Sequence, residues 1–86
     1  MNIQVTHDGK TYNFENGAEV FIFDIGICHE LPDNQLIAFV SLVYECYLKD
    51  INDTPLGKFS DFVAMEWDRL KSLSRYDILT EFYNRY

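Results

Sequence analysis

Two dipeptides set the first constraint on this chain: Asp8-Gly9 and Asn16-Gly17, each flanked by residues that alternate apolar and polar. Asp-Gly and Asn-Gly accept the positive φ angles of a two-residue type I′ turn, and so mark hairpins more strongly than other short signals. Such a loop also fixes which residues face each other. Counting outward from Asp8-Gly9 sets Val5 opposite Tyr12 and Ile3 opposite Phe14. Counting from Asn16-Gly17 sets Tyr12 opposite Phe21 and Phe14 opposite Glu19. One sheet face then carries Ile3, Val5, Tyr12, Phe14, Phe21 and Phe23, and the other Gln4, Thr6, Thr11 and Asn13. The agreement between the turns predicts a three-stranded antiparallel meander. Val20 and Ile22 fall on its polar face, and a helix through 19–29 would house the same apolar residues, but the shared register favours the strand.

Pro32 ends this segment, and Asp33 or Asn34 caps a helix reaching about Asp50. Leu36, Val40, Val43, Tyr44, Tyr47, Leu48 and Ile51 recur at helical spacing, and Ile37, Phe39 and Leu42 leave only a narrow polar stripe. A helix so widely apolar is covered on more than one side, which makes it central. Thr54-Pro55 opens the next helix, with Ser60 an alternative cap and the helix proper over about 59–72. Ser74 and Asp77 form a capping-box-like start for a last helix carrying Ile78, Leu79, Phe82, Tyr83 and Tyr86. The expected class is α+β: one domain, residues 1–86, with an N-terminal three-stranded meander packed against three C-terminal helices.

A chain of 86 residues needs a dense core to fold alone, and 7 Phe, 6 Tyr and 1 Trp supply it. The charge of −7 argues against direct nucleic-acid binding and against an anionic membrane surface, since both rely on Lys and Arg. It favours a larger protein with a basic surface. The balance is uneven: residues 69–86 hold Arg69, Lys71, Arg75 and Arg85 against only Asp77 and Glu81. Cys28 and Cys46 show no CxxC spacing and read as buried free thiols in a reducing cytosol. No positively charged leader precedes an apolar stretch, and the longest apolar run falls short of the ~20 residues a span needs. A cytoplasmic location follows as an expectation.

Cys28-His29-Glu30 resembles a thiol–imidazole–carboxylate site only in composition. A nucleophilic Cys needs a base that reaches its sulfur, and neighbours in a strand point to opposite faces. Cys28, Cys46, His7 and His29 match no zinc spacing. No catalytic residue, metal site or cofactor is expected. Glu66 projects into the apolar stripe of the third helix, where it pairs with Arg69 or Arg75 or else contacts a partner. Near the end of the long helix, either Asp53 or Thr54 caps the next helix while Lys49 or Lys58 offsets the charge, or Asp50, Asp53 and Asp61 form an acidic lobe for a basic partner. Glu30 and Asp33 form a second pair at the start of the long helix, roughly 25 Å away at 1.5 Å per residue. Tyr83 and Tyr86, in the Tyr- and Arg-containing terminus, either pack the last helix onto the core or bring the large contact area that interfaces favour to a partner or a homodimer seam.

The expectation is a small, non-catalytic acidic protein that binds and inhibits a larger basic protein handling nucleic acid, in the manner of phage or mobile-element anti-CRISPR and anti-restriction inhibitors. Its contact residues would be Glu30, Asp33, Asp50, Asp53, Asp61, Glu66, Tyr83 and Tyr86. The alternatives are an immunity protein or antitoxin neutralising a nuclease, a small enzyme using Glu66, His29 or His7, and an assembly subunit or homodimer with an apolar seam.

Overall fold

The computed structural model describes residues 2–86. Strand β1 (Ile3–His7) pairs antiparallel with β2 (Lys10–Phe14), with Val5 opposite Tyr12 and Ile3 opposite Phe14. Asp8 and Gly9 have φ of 53° and 80°, the two left-handed residues of a type I′ turn. The sheet ends there. Helix α1 (Gly17–Cys28) follows, then α2 (Asp33–Asp50), α3 (Leu56–Met65), the single turn α4 (Trp67–Leu70) and α5 (Arg75–Arg85). The class is α+β, but with a two-stranded sheet and five helices, which overturns the three-stranded meander on three helices.

Asn16 is the reason. Its backbone is extended, at φ −159° and ψ 175°, so it makes no left-handed turn. Its side-chain oxygen accepts the Glu19 N–H at 3.2 Å, and the Glu19 carboxylate accepts the Glu15 N–H at 2.8 Å. This reciprocal pair is a variant of the capping box, and it starts a helix. The expected Tyr12–Phe21 and Phe14–Glu19 pairings therefore do not form. On α1, Ile22, Phe23 and Gly26 face the core, while Phe21, Asp24 and Cys28 lie on the exposed side. Cys28, expected to be a buried thiol, is exposed; Cys46 is buried on α2, and burial pushes its thiol up to about 12.

Helix α2 packs against α1, α3 and α5, and the hairpin rests on α1. Tyr12 and Phe14 both set their rings 5.0 Å from that of Phe23. Phe59 meets Phe82 edge-on at 4.9 Å, and Phe39 meets Trp67 at 5.7 Å. Phe23, Phe39, Phe59, Phe62 and Phe82 are fully buried, each contributing about 1.5–3 kcal/mol. Gly26 permits the approach of α1 to α2: a Cβ there would overlap Leu36 Cδ1 and lie 3.0 Å from Phe39 Cδ1.

The expected helix over 59–72 is also corrected. It begins at Leu56, behind Pro55 and without a side-chain cap from Thr54, and it breaks at Glu66. Glu66 has φ −119° and ψ 24°, which redirects the chain while Trp67 and Leu70 stay buried. Ser60, the alternative cap, is buried inside α3 with its hydroxyl on the Gly57 carbonyl at 3.1 Å. Ser74 does cap α5, accepting the Asp77 N–H at 3.1 Å. Among the described residues, no helix is long and apolar enough to cross a membrane.

Candidate functional site

The corner between α1 and α2 is built by Glu30, whose φ of 58° turns the chain left-handed. Its N–H bonds the Ile27 carbonyl at 2.9 Å, and the Leu31 N–H bonds the Gly26 carbonyl at 3.1 Å. These two bonds make a Schellman closure, which more often places Gly at this position. Pro32 then starts α2 in a new direction. The corner thereby lies across from the break between α3 and α4, and an open groove of about 680 Å³ separates them.

His29, Glu30, Leu31, Pro32 and Gln35 form one wall of the groove, and residues from Ala64 to Arg69 form the other. Glu66 accepts hydrogen bonds from both Arg69 and Arg85. The Arg69 guanidinium, with help from Arg85, holds the Glu66 carboxyl below the usual carboxylate range. Arg69 also donates to both Glu81 oxygens, at 2.6 and 2.8 Å. Its charge is thus shared between two carboxylates. Beside the groove, His29 Nε2 lies 3.9 Å from Asp61 Oδ1. Two buried polar atoms of groove residues, Gln35 Oε1 and Trp67 Nε1, have no hydrogen-bond partner among the described residues.

The structure separates the eight residues singled out from the sequence. Glu30 and Glu66 share the groove, and Asp61 adjoins it through His29. Asp33 is diverted to the hairpin, where Lys10 Nζ bonds it at 3.0 Å. Asp50 and Asp53 lie at the far end of α2, and the Tyr83 hydroxyl donates to the Asp50 carbonyl at 2.7 Å. Tyr86 packs on Phe82 at 5.0 Å and under Lys58 Nζ at 4.9 Å, yet keeps 58% of its surface exposed. Cys28 and His29 lie at the end of a helix, not of a strand. The residues sequence reasoning missed are Gln35, Asp68 and the polar edge of Trp67. Asp68 carries no local signal beyond its charge, and Trp67 reads simply as core.

The cations are nearly all occupied. Lys10, Lys49, Arg69, Lys71, Arg75 and Arg85 each lie within 4.0 Å of a carboxylate oxygen. Asp8, Glu15, Glu19, Asp24, Glu30, Asp50, Asp53 and Asp77 have no cationic partner among the described residues. Among the described residues, no three His, Cys, Asp or Glu side chains gather as a metal ion would require. Compared with protein families, curated proteins and solved structures, the chain matches none.

Proposed function

We propose that this protein is a non-catalytic binding module that docks on the cationic surface of a larger protein. The observation that carries the reading is the asymmetry of the ion pairing. Among the described residues, every Lys and Arg but Lys58 is closed onto a carboxylate of the same chain, so the uncompensated charge they leave facing outward is negative. A field of one sign steers a cationic partner and repels polyanions. The two free acidic patches, Glu30 at the start of α2 and Asp50 with Asp53 at its end, present that field together with exposed aromatic surface at Tyr83. Basic proteins that handle nucleic acid are the class such a surface suits. An inhibitor that blocks one of them, as in anti-CRISPR or anti-restriction systems, is the functional setting we favour.

Glu66 fits this reading better than it fits acid catalysis. A carboxyl clasped by two guanidiniums gives up its proton too readily to serve as a general acid near neutral pH. The test is capture of basic proteins by the immobilised chain in low and high salt, beside a Glu30→Gln, Asp50→Asn, Asp53→Asn variant. Retention should fall with salt and fall further in the variant. Retention indifferent to both would refute electrostatic docking.

A further inference from the structure

We infer that the groove between the α1–α2 corner and the α3–α4 break receives a peptide segment bearing an arginine or lysine side chain. The inference rests on the proposed docking to a cationic protein and names the chemistry of one contact. Trp67 is 4% exposed, and its Nε1 donor has no partner among the described residues. Across the groove, Gln35 Oε1 is an acceptor in the same condition. Buried polar groups are overwhelmingly hydrogen-bonded, because leaving one unpaired forfeits its hydration without return. One unmatched donor and one unmatched acceptor call for a ligand that supplies the complement of each. A peptide unit does so, with one carbonyl and one N–H.

The charge of the groove selects the side chain that comes with that peptide unit. Glu30, Glu66 and Asp68 line it against a single guanidinium, Arg69, which Glu66 and Glu81 already neutralise. Glu30 has no cationic partner among the described residues, and Asp68 is 94% exposed with Lys71 3.5 Å away. An anionic ligand would meet three carboxylates against one guanidinium, with Glu30 unpaired among the described residues. A cationic one gains them, while Pro32 and the indole offer apolar surface to its aliphatic stem.

Trp67 is the single tryptophan, so its indole N–H gives one resolved resonance in a nitrogen–proton correlation spectrum. The full chain is titrated with acetyl-Ala-Arg-Ala-amide and with the matching glutamate peptide. The arginine peptide should shift the Trp67 indole and Gln35 side-chain amide signals, and the glutamate peptide should not. A Glu30→Gln, Asp68→Asn variant should bind the arginine peptide about fivefold more weakly. Gln35→Leu should remove the indole shift while leaving the rest of the spectrum folded. Equal shifts with both peptides would overturn the selection for a cation. An indole signal that neither peptide moves would overturn the site and mean that water alone satisfies the atom. In that last case, retained salt-sensitive capture of basic proteins would show that docking occurs elsewhere on the surface and that only the groove assignment has failed.

Discussion

Asp8-Gly9 and Asn16-Gly17 look interchangeable on paper, yet the first closes a hairpin and the second opens a helix. The difference lies in what each side chain finds within four residues. Asp8 has no use for its carboxylate in the turn, and Gly9 takes the left-handed φ of 80° that only glycine adopts cheaply. Asn16 finds the Glu19 N–H, and Glu19 reaches back to Glu15. Its amide also donates to the Tyr44 hydroxyl at 2.5 Å, tying the helix start to α2. Two turn-forming dipeptides thus part ways: Asp8-Gly9 is a turn where nothing competes, and Asn16-Gly17 is a cap where an acid follows at the right spacing.

Substitutions at the glycines and at Asn16 can break or sharpen this contrast. The largest effect belongs to a glycine of neither kind, Gly26, which serves close packing. Gly26→Ala should destabilise the fold by about 1–3 kcal/mol in urea unfolding, because the added methyl meets Leu36 and Phe39. The intrinsic gain in helix propensity, about 1 kcal/mol, acts against that and should lose. Gly9→Ala should cost about 1–2 kcal/mol, the penalty for a left-handed residue with a Cβ. Asn16→Ala should cost about 1 kcal/mol and reduce far-ultraviolet helical signal by fraying α1. Gly17→Ala should go the other way, stabilising by about 0.5 kcal/mol, since its φ is not positive and open space surrounds the new methyl. Equal losses at Gly9 and Gly17 would mean that both dipeptides are turns after all.

The smallest effect is one of pH. The Glu66 carboxyl sits below the ordinary range in the folded chain, chiefly through the Arg69 hydrogen bond. A depressed folded value stabilises above the ordinary carboxylate range, and that contribution is lost as pH falls through the folded value. Thermal unfolding followed from neutral to strongly acid pH should show a steeper loss for the native chain than for Glu66→Gln. Parallel curves would mean that the guanidinium clasp adds no stability.

Much of this fold is local, and the local part was legible. The β1–β2 register follows from a two-residue loop, and α2 follows from Pro32 and an apolar spacing sustained as far as Ile51. The Ser74 cap is equally plain. At the start of α1 a strong dipeptide signal for a turn hides a weaker four-residue one for a helix, Asn16 with Glu19. The break at Glu66 has no Gly or Pro to announce it. Of the candidate contacts, the acids were visible as charges, but which of them stay free depends on partners far along the chain. Asp33 is taken by Lys10 and Glu66 by Arg85, pairings that only the packed molecule makes. The groove joins residues about thirty positions apart, and no local pattern can indicate that Gln35 and Trp67 each keep an unused polar atom.

The unequal fate of the two cysteines has a practical consequence. A thiol with its proton locked in by apolar surroundings is poorly nucleophilic, so maleimide at neutral pH should leave Cys46 alone while the core is intact. Cys28, on the outer turn just before the groove wall, is open to the reagent. The native chain therefore carries a unique attachment point for a fluorophore within one residue of His29, with no engineering of its sequence. Loss of that selectivity on heating would report the moment at which the interior admits solvent.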